Sequence, residues 1–135
     1  MSAEHVPATL QRRVRERAAL RCEYCGIAQA HQDATFHIDH VVPRRAGGAT
    51  ALDNLALACV SCSLRKGARE AAPDPEGGAM APLYHPRLAA WSAHFTQHPD
   101  GSVAGLTPTG RATVAALQLN RPLACALRRA LQESP

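Results

Sequence analysis

The sequence predicts a small α+β domain, and three observations carry that prediction. Two C-x-x-C pairs, Cys22 with Cys25 and Cys59 with Cys62, stand with 33 residues between them. They enclose a β-branched and aromatic stretch, Thr35 to Val42, that Pro43 ends. Outside the pairs, apolar residues recur at helical spacing near both ends of the chain. At 135 residues the chain suits one domain with a modest core. Residues 1–70 read as that core, and 71–135 as a helical C-terminal extension packed on it.

Taken in order, residues 8–20 read as a helix, with Leu10, Val14 and Ala18 on one stripe. Arg12, Arg13, Arg15 and Arg17 fall mostly off it, either as a solvated face or as phosphate contacts. The helix leads into the first knuckle, closed by Gly26. After the strand, residues 44–50 form a basic, glycine-containing loop, and Asp53-Asn54-Leu55 re-enters ordered structure. The second knuckle opens a short segment that ends at Gly67. Residues 73–82, with three prolines and two glycines, read as a linker or long loop. Pro86 to about Gln97 reads as a helix, with Leu88, Trp91 and Phe95 facing the core. Residues 102–106 read as a short strand. Thr107 is a good N-cap, with Pro108 at the first helical position of the next helix. Asn120 ends it, and Pro122 starts a last helix with Leu123, Leu127 and Leu131 four apart. Cys125, on that helix, reads as an ordinary buried cysteine.

Hydrophobic residues make up 46% of the chain and charged residues 19%, which suits a globular rather than a disordered chain. No apolar run approaches the length of a membrane span, and no signal-peptide core follows the N-terminus, so a cytoplasmic protein without a membrane role is expected. The net charge is +4, which makes nucleic acid a natural partner. Nine of the fifteen basic residues lie in residues 1–67, against six acidic ones, so most of the excess sits with the cysteine pairs.

Two C-x-x-C pairs match the ligand set of a tetrahedral four-cysteine zinc site. Zinc would close a long loop that a small core cannot hold by packing alone. Four thiolates leave no open position for water or substrate, so Cys22, Cys25, Cys59 and Cys62 are assigned to a structural Zn²⁺. Any chemistry must lie inside the loop that the zinc closes.

That loop runs Phe36-His37-Ile38-Asp39-His40-Val41-Val42-Pro43, then Gly47-Gly48, then Asp53-Asn54-Leu55, and closes with Cys59 to Gly67. This order resembles the HNH endonuclease family, in its zinc-stapled bacterial and phage branch, over roughly residues 20–67. The stretches Pro82 to Arg87 and Gly105 to Arg111 are similar to a C-terminal extension of a bacterial branch, to which no role attaches. The resemblance implies a ββα-metal finger within the zinc staple, flanked by the N-terminal helix and the helical extension. It also implies a metal-dependent endonuclease acting on DNA, double-stranded and nicked one strand at a time, as a monomer or homodimer. Asp39 would ligate a catalytic divalent cation (Mg²⁺ or similar), His40 would be the general base, and Asn54 would hold the loop and orient His40.

The residue chemistry agrees with those roles. Cutting a phosphodiester needs an activated water and a cation to neutralise developing charge, and histidine suits proton transfer near neutral pH. Asp39 and His40 diverge along a strand, and a twist before Pro43 would let them flank one phosphate. The departure from the family is Ser63, which stands where a further Asn or His ligand is usual. A hydroxyl is a poorer ligand, and His37, on the same strand face as Asp39, is either a substitute donor or a surface residue. The alternative reading is a zinc-stapled DNA-binding module with weakened or lost catalysis. Arg44 and Arg45 on the loop, and Arg65 and Lys66 after Ser63, are placed to contact phosphates, which position a duplex without reading its sequence. Trp91 and Phe95 read as core.

Overall fold

The computed structural model describes residues 5–133. Its first helix, α1 (Ala8–Arg17), ends three residues earlier than its apolar stripe suggests. Ala19 and Leu20 take left-handed backbone conformations, with φ of 52° and 57°, and turn the chain into the first knuckle. Val14 is the residue that α1 buries fully. The arginines of this helix divide in two. Arg12 and Arg13 are exposed, whereas Arg15 donates to Phe36 O at 3.2 Å and Arg17 to the carbonyls of Leu52 and Leu55. Those two guanidinium groups bind α1 to the enclosed loop.

Strands β1 (His37–His40) and β2 (Leu55–Ala58) pair antiparallel, with His40 opposite Leu55 and His37 opposite Ala58. All four β2 residues are buried, which gives the ladder a hydrophobic floor. Helix α2 (Val60–Lys66) follows at once and packs on both strands. This β-β-α unit matches the finger expected from the sequence.

Residues 73–82 are not a linker. Strands β3 (Ala71–Pro73) and β4 (Met80–Pro82) form a hairpin closed by Asp74 N–H to Ala79 O at 2.8 Å. Pro73 and Pro82 sit at the ends of these short strands, and Pro75 lies with the two glycines in the turn. Arg111 grips the turn from α3 (Pro108–Ala116), donating from Nε and Nη2 to the two oxygens of Asp74 at 3.0 and 2.9 Å.

The expected helix over residues 86–97 is also absent. One 3₁₀ turn at Trp91–Ala93 is followed by β5 (Phe95–Gln97), which pairs with β6 (Val103–Gly105). Leu88 is exposed while Phe95 is buried, so the apparent stripe was a coincidence of spacing. Asp100-Gly101 makes the hairpin turn, a local signal that lies just beyond residues 86–97. Gly101 has φ +88°, and a Cβ there would stand 2.0 Å from Cys125 O, so both the turn and the packing of the last helix require glycine.

The strand at 103–105, the Thr107 cap and α3 agree with the sequence, with Gly110 N–H donating to Thr107 Oγ1 at 3.0 Å. Helix α4 (Pro122–Glu133) starts at Pro122 as expected. Its buried stripe is Ala124 and Arg128 rather than the leucines, since Leu123 is exposed and Leu127 only half-buried. Cys125 is likewise half-buried. The buried apolar cluster runs from Val14 through Tyr24, Phe36 and Leu57 to Phe95, Leu117 and Leu119. Trp91 stacks on Phe95 with ring centroids 4.9 Å apart, and its indole N–H donates to Tyr24 O. Arg87 pairs with Glu23, so the two halves of the chain are joined by polar as well as apolar contacts. Among the described residues no helix is long and apolar enough to cross a membrane.

Candidate metal centre and active-site cleft

The first knuckle is a tight turn. Gly26 N–H donates to Cys22 O at 2.9 Å, and Cys25 N–H points at Cys22 Sγ at 3.4 Å. The second is the start of α2, where Cys59 is the N-cap and its sulfur accepts from Cys62 N–H at 3.4 Å. The β1–β2 hairpin brings the knuckles together. All four sulfurs lie within 4.8 Å of one another, and Cys25 Sγ is 3.7 Å from Cys59 Sγ. Zinc–thiolate bonds of about 2.3 Å in a tetrahedron place sulfurs roughly 3.8 Å apart. The fit is close. As bare thiols the four conflict: burial pushes Cys22 up, whereas hydrogen bonds from Cys22, Cys25 and Cys62 pull Cys59 far down. A divalent cation removes the conflict by favouring the thiolate at every position.

Beside this centre, β1, the 44–46 turn and α2 enclose a cleft of about 780 Å³. His37, Asp39, His40, Arg44, Arg45 and Ser63 all line it. Within it, each residue singled out from the sequence has a definite place. Asp39 is nearly buried; Tyr24 donates its hydroxyl to Oδ2 at 2.7 Å, and Lys66 Nζ lies 3.2 Å from the same oxygen. Burial pushes the Asp39 carboxyl up, and Lys66 and Tyr24 pull it back. His40 is 8% exposed, with Nε2 2.9 Å from Thr50 Oγ1. Arg44 donates to the same hydroxyl at 2.8 Å, and that oxygen has two lone pairs, so it can accept from His40 Nε2–H as well.

Asn54 is buried at the end of a 3₁₀ turn that leads into β2. Its Oδ1 accepts from Val42 N–H, and its Nδ2 donates to Val42 O and Ala49 O, at 2.9 to 3.0 Å. Both ends of the amide therefore hold the 42–49 loop. Gly48 completes the arrangement. A Cβ there would overlap Val42 O at 1.7 Å and meet Asn54 Nδ2 at 2.7 Å.

Two assignments need correction or refinement. Lys66 is 1% exposed, with its ammonium on Asp39 and on His40 O at 3.3 Å, so it faces the protein rather than a phosphate. The reason is helical phase: Lys66 lies four residues after Cys62, on the face of α2 that is buried. Ser63 Oγ is 2.8 Å from His37 Nδ1, so those two side chains form a pair at the cleft. Arg44, Arg45 and Arg65 are exposed, and Arg65 Nε donates to Ser61 Oγ at 3.2 Å. Tyr24, Thr50 and Arg121 belong to this region and were not anticipated. Tyr24 stood inside the C-x-x-C pair as an unmarked residue, and no local pattern distinguishes Thr50. Arg121 reaches the sulfurs from the other end of the chain. Burial pulls its pKa down, but the thiolates of Cys25, Cys62 and Cys59 outweigh that and hold it above the ordinary arginine value. Among the described residues, the four cysteines are the only group of three or more His, Cys, Asp or Glu side chains that converges on one point.

The family model described as HNH endonuclease matches residues 22–69, from the first cysteine to just past the second knuckle. Residues 22–69 are an HNH domain. No curated protein and no solved structure matches the chain. The HNH domain accounts for the β1–β2–α2 unit and for the four-cysteine cluster of zinc type at its base. The activity attached to the matched family is that of an endonuclease.

Proposed function

We propose that this protein is a metal-dependent endonuclease that hydrolyses DNA phosphodiester bonds by nicking, with His40 as general base. One observation supports this most: inside the HNH domain, His40 and Asp39 line the same cleft as Arg44 and Arg45. His40 would take the proton of a water, with Thr50 fixing the ring and Arg44 fixing Thr50. Arg44 and Arg45, exposed on the rim, would hold backbone phosphates of double-stranded DNA. Asp39, with Ser63 and His37 lining the same cleft, offers oxygen and nitrogen donors for a hard divalent ion such as Mg²⁺. Such ions bind through one or two carboxylates and keep several waters, so this short donor set fits. Asp39 Oδ1 retains acceptor capacity, since Lys66 Nζ stands 3.5 Å from it. When bound, the ion would neutralise charge on the transition state and leaving oxygen. The four cysteines would hold a structural zinc and take no part in the reaction.

A supercoiled-plasmid assay with Mg²⁺, Mn²⁺ and Ni²⁺ tests the reading. Wild-type protein is expected to produce open circles, and His40→Ala to lower the rate by about 10²- to 10⁴-fold. Binding without nicking in any metal would instead favour a DNA-binding module whose catalysis is lost. The pairing of Ser63 with His37 is the observation behind that second reading. DNA binding that does not weaken as salt rises would argue against any phosphate-driven role.

Ser63→Asn addresses the donor set directly. An amide oxygen at this position is expected to raise metal affinity or nicking rate over wild type, measured by metal titration and by the plasmid assay. Unchanged values in both would show that Ser63 takes no part in holding the ion.

A further inference from the structure

We propose that Arg121 is an outer partner of the four-cysteine metal site, neutralising thiolate charge and locking the C-terminal helix to the metal. The inference rests on the zinc reading of the cysteines and extends it to the far end of the chain. Four thiolates and one divalent cation leave a net charge of about −2, and the four cysteines are at most 2% exposed. Buried charge of that size needs hydrogen-bond donors or a counter-cation. The knuckle backbones supply one N–H each, to Cys22 Sγ and to Cys59 Sγ. Arg121 supplies the others. Its Nη2 lies 3.6 Å from Cys25 Sγ and 3.4 Å from Cys59 Sγ, and its Nη1 lies 4.0 Å from Cys62 Sγ. With the guanidinium included, every sulfur of the site has an N–H donor.

The guanidinium is held in place by its neighbours in sequence. Asn120 pairs with the Val103 backbone in both directions, at 2.7 and 2.8 Å, and Pro122 opens α4 immediately after. Arg121 also donates to Gln118 O at 3.1 Å, across the turn between α3 and α4. A second arginine makes an independent connection. Arg128 is fully buried and donates to Cys25 O at 3.0 Å, to Gly101 O at 2.7 Å and to Leu119 O at 2.7 Å. Helix α4 and the residue that leads into it therefore touch the first knuckle through a carbonyl and a sulfur respectively. The planar fork matters, because two Nη groups reach three sulfurs, which the point charge of an ammonium cannot do.

Two consequences follow for the zinc. Donors on the sulfurs lower their nucleophilicity, which slows both alkylation and loss of the metal. Docking of α4 and binding of zinc also become linked, each strengthening the other by the same factor.

The test uses full-length, zinc-loaded protein. Zinc transfer to a chromogenic chelator and alkylation by N-ethylmaleimide, followed by mass spectrometry, are compared across variants. Arg121→Met is expected to lose zinc about 10- to 100-fold more readily than wild type, the usual range for partners of metal ligands. Arg121→Lys should fall between them, and Arg129→Met, on the exposed face of α4, should match wild type. Zinc retention and alkylation as in wild type for both Arg121 variants would overturn the proposal. Where Arg121→Met does not fold, the lysine variant decides alone: faster release supports the role and wild-type release rejects it. Wild-type protein that purifies folded without zinc would overturn the zinc reading itself, a result distinct from the first.

Discussion

Replacing Lys66 with methionine is expected to destabilise the protein by about 3–5 kcal/mol, the usual result of removing one partner from a buried ion pair. Lys66 is 1% exposed and Asp39 10%, so neither charge has water to fall back on. Without the ammonium, Asp39 keeps only the Tyr24 hydroxyl as a donor among its described partners, and His40 O loses a donor as well. The pH dependence has a definite sign. Burial already raises the Asp39 carboxyl, and Lys66 is the largest influence lowering it. Its loss raises the folded-state pKa further above the unfolded value. The folded variant then binds a proton that the unfolded chain has released, so its stability falls as pH rises. Urea titrations should therefore show a smaller deficit at pH 5 than at pH 8. Adding Asp39→Asn should recover part of the loss. An equal deficit at both pH values, or none at all, would mean that the pair is not what holds β1 to α2.

Stripping the metal with a strong chelator is expected to abolish cooperative folding of residues 22–69. Structural zinc in small domains contributes on the order of 10 kcal/mol at pH 7, as much as the whole stability of a typical domain. The elements it joins are weak by themselves. Strands β1 and β2 have four residues each in a two-stranded sheet, and α2 has seven. Pairs of strands and helices of that length are marginal in water. Far-UV circular dichroism with and without chelator, and melting of Cys59→Ser, would measure the effect. Elemental analysis should give about one zinc per chain. A metal-free protein that still melts cooperatively near the wild-type temperature would remove the metal from the folding problem.

Much of the HNH unit was legible because spacing constrains it strongly. Two cysteine pairs on either side of a strand-forming stretch leave few ways to bring four sulfurs together, and the chain uses one of them. The helix caps at Thr107 and Pro122 were equally plain, since their chemistry is local. Residues 86–97 are not legible as β structure because Leu88, Trp91 and Phe95 imitate a helical stripe, while the decisive signal, Asp100-Gly101, lies beyond them. Lys66 misleads for the opposite reason. Its neighbour Arg65 made the pair look like a charged surface, although counting four back to Cys62 would have put the lysine on the buried face. The partners of His40 and of the sulfurs were out of reach. Thr50 and Arg121 arrive through tertiary packing, the second from 59 residues beyond Cys62, and no local pattern announces either.

The buckle at Asn54 has a consequence for how this cleft can change. The loop from Val42 to Asn54 is fastened to itself at Val42 N–H, Val42 O and Ala49 O, and Gly48 passes where no side chain fits. Its length is thereby fixed: an inserted or deleted residue would shift Gly48 out of the gap and pull the amide off its partners. Any change in what this rim presents must come by exchanging the side chains of residues 44–46, letter for letter, within a frame that does not stretch.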